Sequence, residues 1–176
     1  MFKTNENSVK INTAIALAND FELLNYIYEK IKSTSSYDMS NAPTSYIAKE
    51  YYKFMRTCDI TVKVYYPRYR WSKAMGYFSE SNPRVINING YKLDSIDLEQ
   101  LVSLFFHESA HAWNASDENY SVHHGVGRNA NNPKGKENTF MYSVNRYVYE
   151  YFNYEKPVVS YKIPLYKRIL NFLKWW

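Results

Sequence analysis

Two histidines stand four residues apart in Leu104-Phe105-Phe106-His107-Glu108-Ser109-Ala110-His111-Ala112-Trp113, and a glutamate directly follows the first. On a helix, positions i and i+4 stack on one face, so both imidazoles can reach one ion at about 2.0–2.1 Å. A zinc ion held this way keeps a water. The adjacent carboxylate is placed to take that water's proton and later hand it to a leaving amine. HExxH on a helix is the sequence form of this chemistry. Histidine is uncommon, and a chain of this length shows the pattern by chance less than about one time in a hundred. The expected roles are zinc ligand for His107 and His111, and general base for Glu108.

A catalytic zinc takes a third protein ligand, and the downstream sequence offers several. Asp117 stands six after His111 and gives H-E-x-x-H-x-x-N-x-x-D, similar to the extended metzincin motif with Asn114 in place of Gly. No Met-turn can be identified. His123 and His124 lie in a polar segment, and Glu137 opens a later helical pattern.

The elements that must position these residues follow from periodicity. On a wheel of residues 96–113, Leu98, Leu101, Val102, Phe105, Phe106, Ala112 and Trp113 gather on one side, and the two histidines point elsewhere. Asp94 or Ser95 is the expected N-cap, with Asp97 and Glu99 in the first turn. Upstream, apolar residues at helical spacing predict one long helix over roughly 11–32. A shorter helix follows Pro43, carrying Ile47, Tyr51, Phe54 and Met55. The period changes to two at Ile60, Val62, Val64 and Tyr66, which predicts a strand ended by Pro67. Residues 68–83 read as irregular. "RVININ" reads as a second strand closed by Gly90; its place before the histidine helix suggests an edge strand for an extended substrate, and a plain core strand is the equal alternative. Residues 114–135 form a long polar segment of a length usually tied to function. A helix is expected from Glu137 to Tyr154, and a short basic one over 163–176. Cys58 reads as a packed residue with no special role.

With 176 residues and 45% hydrophobic residues, the chain fits one α+β domain, 1–176, with a real core. A single cysteine excludes an internal disulfide framework and a cysteine-rich metal site. The net charge of +5 is spread along the chain and argues no nucleic acid partner. Nineteen tyrosines beside five glycines suggest a codon bias, so tyrosine content carries little functional weight. No stretch is long and apolar enough to span a membrane, and the polar first ten residues are not a secretory signal. The expectation is synthesis in a cytoplasm, with any export left to a specialised secretion system or a larger toxin.

From about Ile27 to Tyr161 the chain resembles the NleD-like effector metallopeptidases and their relatives at the C-termini of bacterial polymorphic toxins. The resemblance is carried by "VINING", "HESAHA", "GVG" at Gly125-Val126-Gly127 and "KEN" at Lys136-Glu137-Asn138. It covers order and motifs, and HExxH is its specific part. In that family an acidic residue stands shortly before Val-Gly, where this chain has Tyr120 to His124. The resemblance implies a small zincin-like metallopeptidase domain with Zn2+ bound by His107 and His111. It favours Glu137 as third ligand, with His124 and Asp117 as alternatives. It also implies a protein substrate in a host or competitor cell and a carrier or immunity protein as partner. Two other readings of the residues stand beside it. One is a non-catalytic module that binds a protein or membrane through its basic, tyrosine-rich surface. The other is a zinc amidase acting on cell-wall peptides.

Overall fold

The computed structural model describes residues 1–117, 119–122 and 138–153. His123, His124, Glu137 and the expected helix over 163–176 lie outside them. Among the described residues the protein is α+β, with five α-helices and one four-stranded mixed sheet. The strands are β1 (Phe2–Thr4), β2 (Ile60–Tyr65), β3 (Gly76–Phe78) and β4 (Val85–Asn89). The helices are α1 (Val9–Ala18), α2 (Phe21–Ser33), α3 (Thr44–Thr57), α4 (Leu98–Ala115) and α5 (Phe140–Asn153). None of them is long and apolar enough to cross a membrane.

The sheet order is β1-β2-β4-β3. β2 pairs in parallel with β1 and β4, and β3 runs antiparallel to β4. The period-two residues Ile60, Val62, Ile86 and Ile88 are fully buried, as alternation requires of a sheet with one covered face. β4 is therefore an interior strand, which corrects the expectation that it forms the edge. The edge beside β4 is β3, inside the run read as irregular. Three residues carry no period to read, and what makes them a strand is the pairing of Gly76, Tyr77 and Phe78 with Ile88, Asn87 and Ile86.

The helix expected over 11–32 is two helices. Asn19 ends α1, and its side chain donates to Phe2 O at 2.8 Å and accepts from Phe2 N at 2.9 Å. Asp20 caps α2 by accepting from Glu22 N. The break thus serves the docking of β1, a contact remote in sequence. Pro43 stands at the start of α3, and the half-buried Cys58 ends it.

Helix α4 runs through the middle of the core, against α1, α3 and α5 and beneath β3 and β4. Its N-cap is Asp97 rather than Asp94 or Ser95. Gln100 at the third helical position completes a capping box, with Gln100 N to Asp97 Oδ1 at 2.7 Å and Asp97 N to Gln100 Oε1 at 3.1 Å. Phe105 and Phe106 pack on Phe2, and Trp113 joins Tyr51 and Phe140 in a buried aromatic cluster. The fully buried Tyr51 hydroxyl reaches Ser109 Oγ at 2.7 Å and Phe106 O at 3.2 Å, which fixes α4 against α3.

Candidate metal centre

Most of α4 is buried, including Leu101, Val102, Phe105, Phe106, Ser109, Ala110, Ala112 and Trp113. Leu104, His107, His111 and Asn114, spaced at three and four residues, are half-buried and form one open stripe. The histidines therefore face a space of their own, as the wheel predicts. Their ring centroids are 5.1 Å apart, a spacing from which both rings can present a nitrogen to one ion.

His107 is oriented from α5. Its Nδ1 lies 3.2 Å from Met141 O in the first turn of that helix. A carbonyl only accepts, so Nδ1 carries the proton, and in the neutral ring Nε2 carries the lone pair a metal needs. Carbonyl partners of this kind set the tautomer and orientation of ligating histidines. The Tyr142 ring packs against the same imidazole, with centroids 5.1 Å apart.

Glu108 is only 7% exposed. Burial pushes its carboxyl up to about 7 from the ordinary 4.5, and a hydrogen bond from the Phe78 backbone N–H opposes the rise. Phe78 belongs to β3, so the edge strand is tied to the carboxylate that the motif contributes. The close approach depends on Gly76, where a Cβ would stand 2.9 Å from Asn87 O and 3.3 Å from both Ile88 Cδ1 and Leu104 Cδ2. Two phenols sense the same carboxylate. Tyr142 is raised by burial and then by the charge of Glu108. Tyr65 is raised by burial, then by Tyr77, then by Glu108. Both keep their proton at neutral pH.

Of the three expected third ligands, only Asp117 lies among the described residues. No third His, Cys, Asp or Glu among them joins the pair in a group able to hold a metal. Asp117 follows a helix that continues through Asn114 to Ala115, so Asn114, which stands where the extended motif has Gly, is helical. Asn114 Oδ1 accepts from Val122 N at 2.9 Å. Asp117 Oδ1 accepts from Asn119 N, Tyr120 N and Tyr46 Oη at 2.9–3.3 Å, the bonding of a turn-forming aspartate. The Tyr147 hydroxyl meets Thr34 and Tyr37, and Arg146 pairs with Glu150.

Two imidazoles on one open stripe, one with its tautomer fixed and both beside a buried carboxylate, are a donor set suited to zinc. Phe78 N–H and Gly76 escape sequence reading, because a backbone donor has no residue signature. Comparison with known protein families, with characterised proteins and with solved structures finds no match to this chain. A functional assignment therefore rests on these residues.

Proposed function

We propose that this protein is a zinc-dependent endopeptidase, a zincin-like domain that hydrolyses peptide bonds of a protein substrate. The observation that carries the proposal is Glu108, a buried carboxyl with a proton affinity near neutrality, next to two histidines on one stripe of the same helix. A structural glutamate is rarely buried without a cationic partner, whereas a general base works best with a pKa near the operating pH.

His107 and His111 hold the metal, and Met141 O keeps the first imidazole in the ligating tautomer. Glu137 is the favoured third ligand, because the resemblance keeps the Glu-Asn pair at Glu137-Asn138. His124 is the next candidate, and Asp117 stands behind both. Zinc bound there supplies Lewis acidity and brings the pKa of its water to about 7. Glu108 takes a proton from the attacking water and delivers it to the leaving amine nitrogen, so the base ends the cycle ionised again. The Tyr142 hydroxyl donates to the carbonyl oxygen as negative charge develops. β3, an open edge beside Glu108, pairs with the main chain of an extended substrate.

By its resemblance to NleD-like enzymes, the setting is a bacterial effector or toxin acting inside another cell. Delivery is by a secretion system or a larger toxin, and the producer holds an immunity or carrier protein. The test is proteome-wide mapping of new N-termini in a cell lysate treated with zinc-loaded wild type and with Glu108→Gln. New termini made by the wild type alone are expected. Equal cleavage by both proteins removes Glu108 from the mechanism. Release from purified peptidoglycan with intact lysate proteins replaces the endopeptidase by an amidase.

A further inference from the structure

The segment over 66–75 connects β2 to β3 and forms a tongue beside the site. Between Asp59 and Glu80 the sequence holds Lys63, Arg68, Arg70 and Lys73 and no acidic residue. Tyr66, Tyr69 and Trp71 are exposed, Trp71 to 77%. Isolated exposed aromatics are ordinary, but these are organised. The Tyr69 and Trp71 rings stack at 5.0 Å and 19°. The Arg68 guanidinium lies over Tyr69 at 5.5 Å, and that of Arg70 over Tyr91 at 5.1 Å. Both guanidiniums are thus held on aromatic faces. Among the described residues, Arg68, Arg70 and Lys73 form no salt bridge with a carboxylate.

The tongue is anchored at both ends. Tyr66 lies on Gly90, where a Cβ would stand 2.5 Å from its ring. The buried Asn89 donates from Nδ2 to Ala74 O at 2.8 Å and from its backbone N to Met75 O at 2.9 Å. From Met75 the chain passes directly into β3, whose Phe78 N–H holds Glu108. A chain lying along β3 thus runs on to flat aromatic faces and to cations with no carboxylate partner among the described residues.

We propose that this tongue is a substrate-docking element that grips an acidic segment of the protein substrate adjoining the scissile bond. The inference rests on the endopeptidase reading of the Glu108 site. Charge complementarity selects the occupant: fixed guanidiniums suit carboxylates, and the rings suit the apolar or aromatic residues between them. The continuity with β3 favours a peptide over a nucleic acid or a lipid surface, neither of which can add to a strand edge.

The test is fluorescence anisotropy with the full-length Glu108→Gln protein, loaded with zinc. The probes are a labelled peptide with glutamates around a Leu-Phe centre and its glutamine counterpart. The acidic peptide is expected to bind about tenfold more tightly, with most of that preference lost at high salt. The preference is also expected to vanish in the exposed double variant Arg68→Glu/Arg70→Glu, and both peptides to weaken together in Trp71→Ala. Equal affinity for the two peptides overturns the proposal, as does a preference that survives the double variant. Oligothymidylate or phosphatidylglycerol vesicles binding more tightly than the acidic peptide through the same arginines also overturn it. Cleavage of the acidic peptide by zinc-loaded wild type is followed separately. If wild type cleaves neither peptide nor lysate proteins, the endopeptidase reading fails while the anisotropy result still decides what the tongue binds.

Discussion

Replacing Glu108 with glutamine is expected to make the metal-free protein more stable at alkaline pH. The carboxyl is 7% exposed, and its pKa rises from 4.5 to about 7 on folding. A raised acid pKa means that the folded state binds the proton more tightly than the unfolded state. Below about pH 4.5 the group is protonated in both states and costs nothing. Between pH 4.5 and 7 the unfolded chain releases the proton first, so stability falls as pH rises, and the full penalty is reached above pH 7. A rise from 4.5 to about 7, at about 1.4 kcal/mol per unit, corresponds to a penalty of about 3 kcal/mol. Glutamine is neutral at every pH and still accepts from Phe78 N–H. For a chain of 176 residues, a gain of that size corresponds to a rise in Tm of about 6–12 °C. The assay is thermal unfolding of both proteins in the presence of a chelator, from near pH 4 to about pH 8.5. The curves are expected to converge at the acid end and separate with rising pH. Coincident Tm values at the alkaline end would refute the argument that a desolvated carboxylate is held at this site.

Gly76→Val sets a branched side chain against Asn87 O, Ile88 and Leu104; a loss of about 1–3 kcal/mol in urea unfolding is expected from overpacking. Tyr51→Phe removes the hydroxyl that meets Ser109 Oγ and Phe106 O inside the core and is expected to cost about 1–3 kcal/mol in the same assay. Tyr142→Phe keeps the ring against His107 and is expected to lower kcat about a hundredfold with little change in KM, because its hydroxyl acts on charge that develops only in the transition state. A rise in KM at constant kcat would assign Tyr142 to ground-state binding instead.

The placement of the two histidines was legible where it depends on local spacing. His107 and His111 share a stripe because a helix repeats every 3.6 residues, and the apolar residues of α4 show which side the core takes. β2 and β4 were legible for the same reason, since alternate residues are buried. What escaped depends on contacts remote in sequence. Asn19 breaks a helical pattern in order to bond Phe2. β3 is too short to show a period, and it bears on Glu108 through a backbone N–H. The elevated proton affinity of Glu108 arises from the depth of α4 in the core, which no motif encodes. Tyr142 stood among several tyrosines of α5, and only the packing of its ring on His107 separates it from Tyr147, whose hydroxyl faces Thr34 and Tyr37.

The central claim is that His107 and His111 form a zinc site. It is tested most directly by isothermal titration of zinc into chelator-treated wild type, His107→Ala, His111→Ala, Glu137→Ala and His124→Ala. One zinc per wild-type chain is expected. Either histidine variant of α4 is expected to abolish that binding, Glu137→Ala to weaken it strongly and His124→Ala to leave it nearly intact. Loss with His124→Ala and retention with Glu137→Ala would exchange the third ligand and leave the pair standing. Wild type that takes up no zinc, or binds it equally well without His107 and His111, would contradict the account.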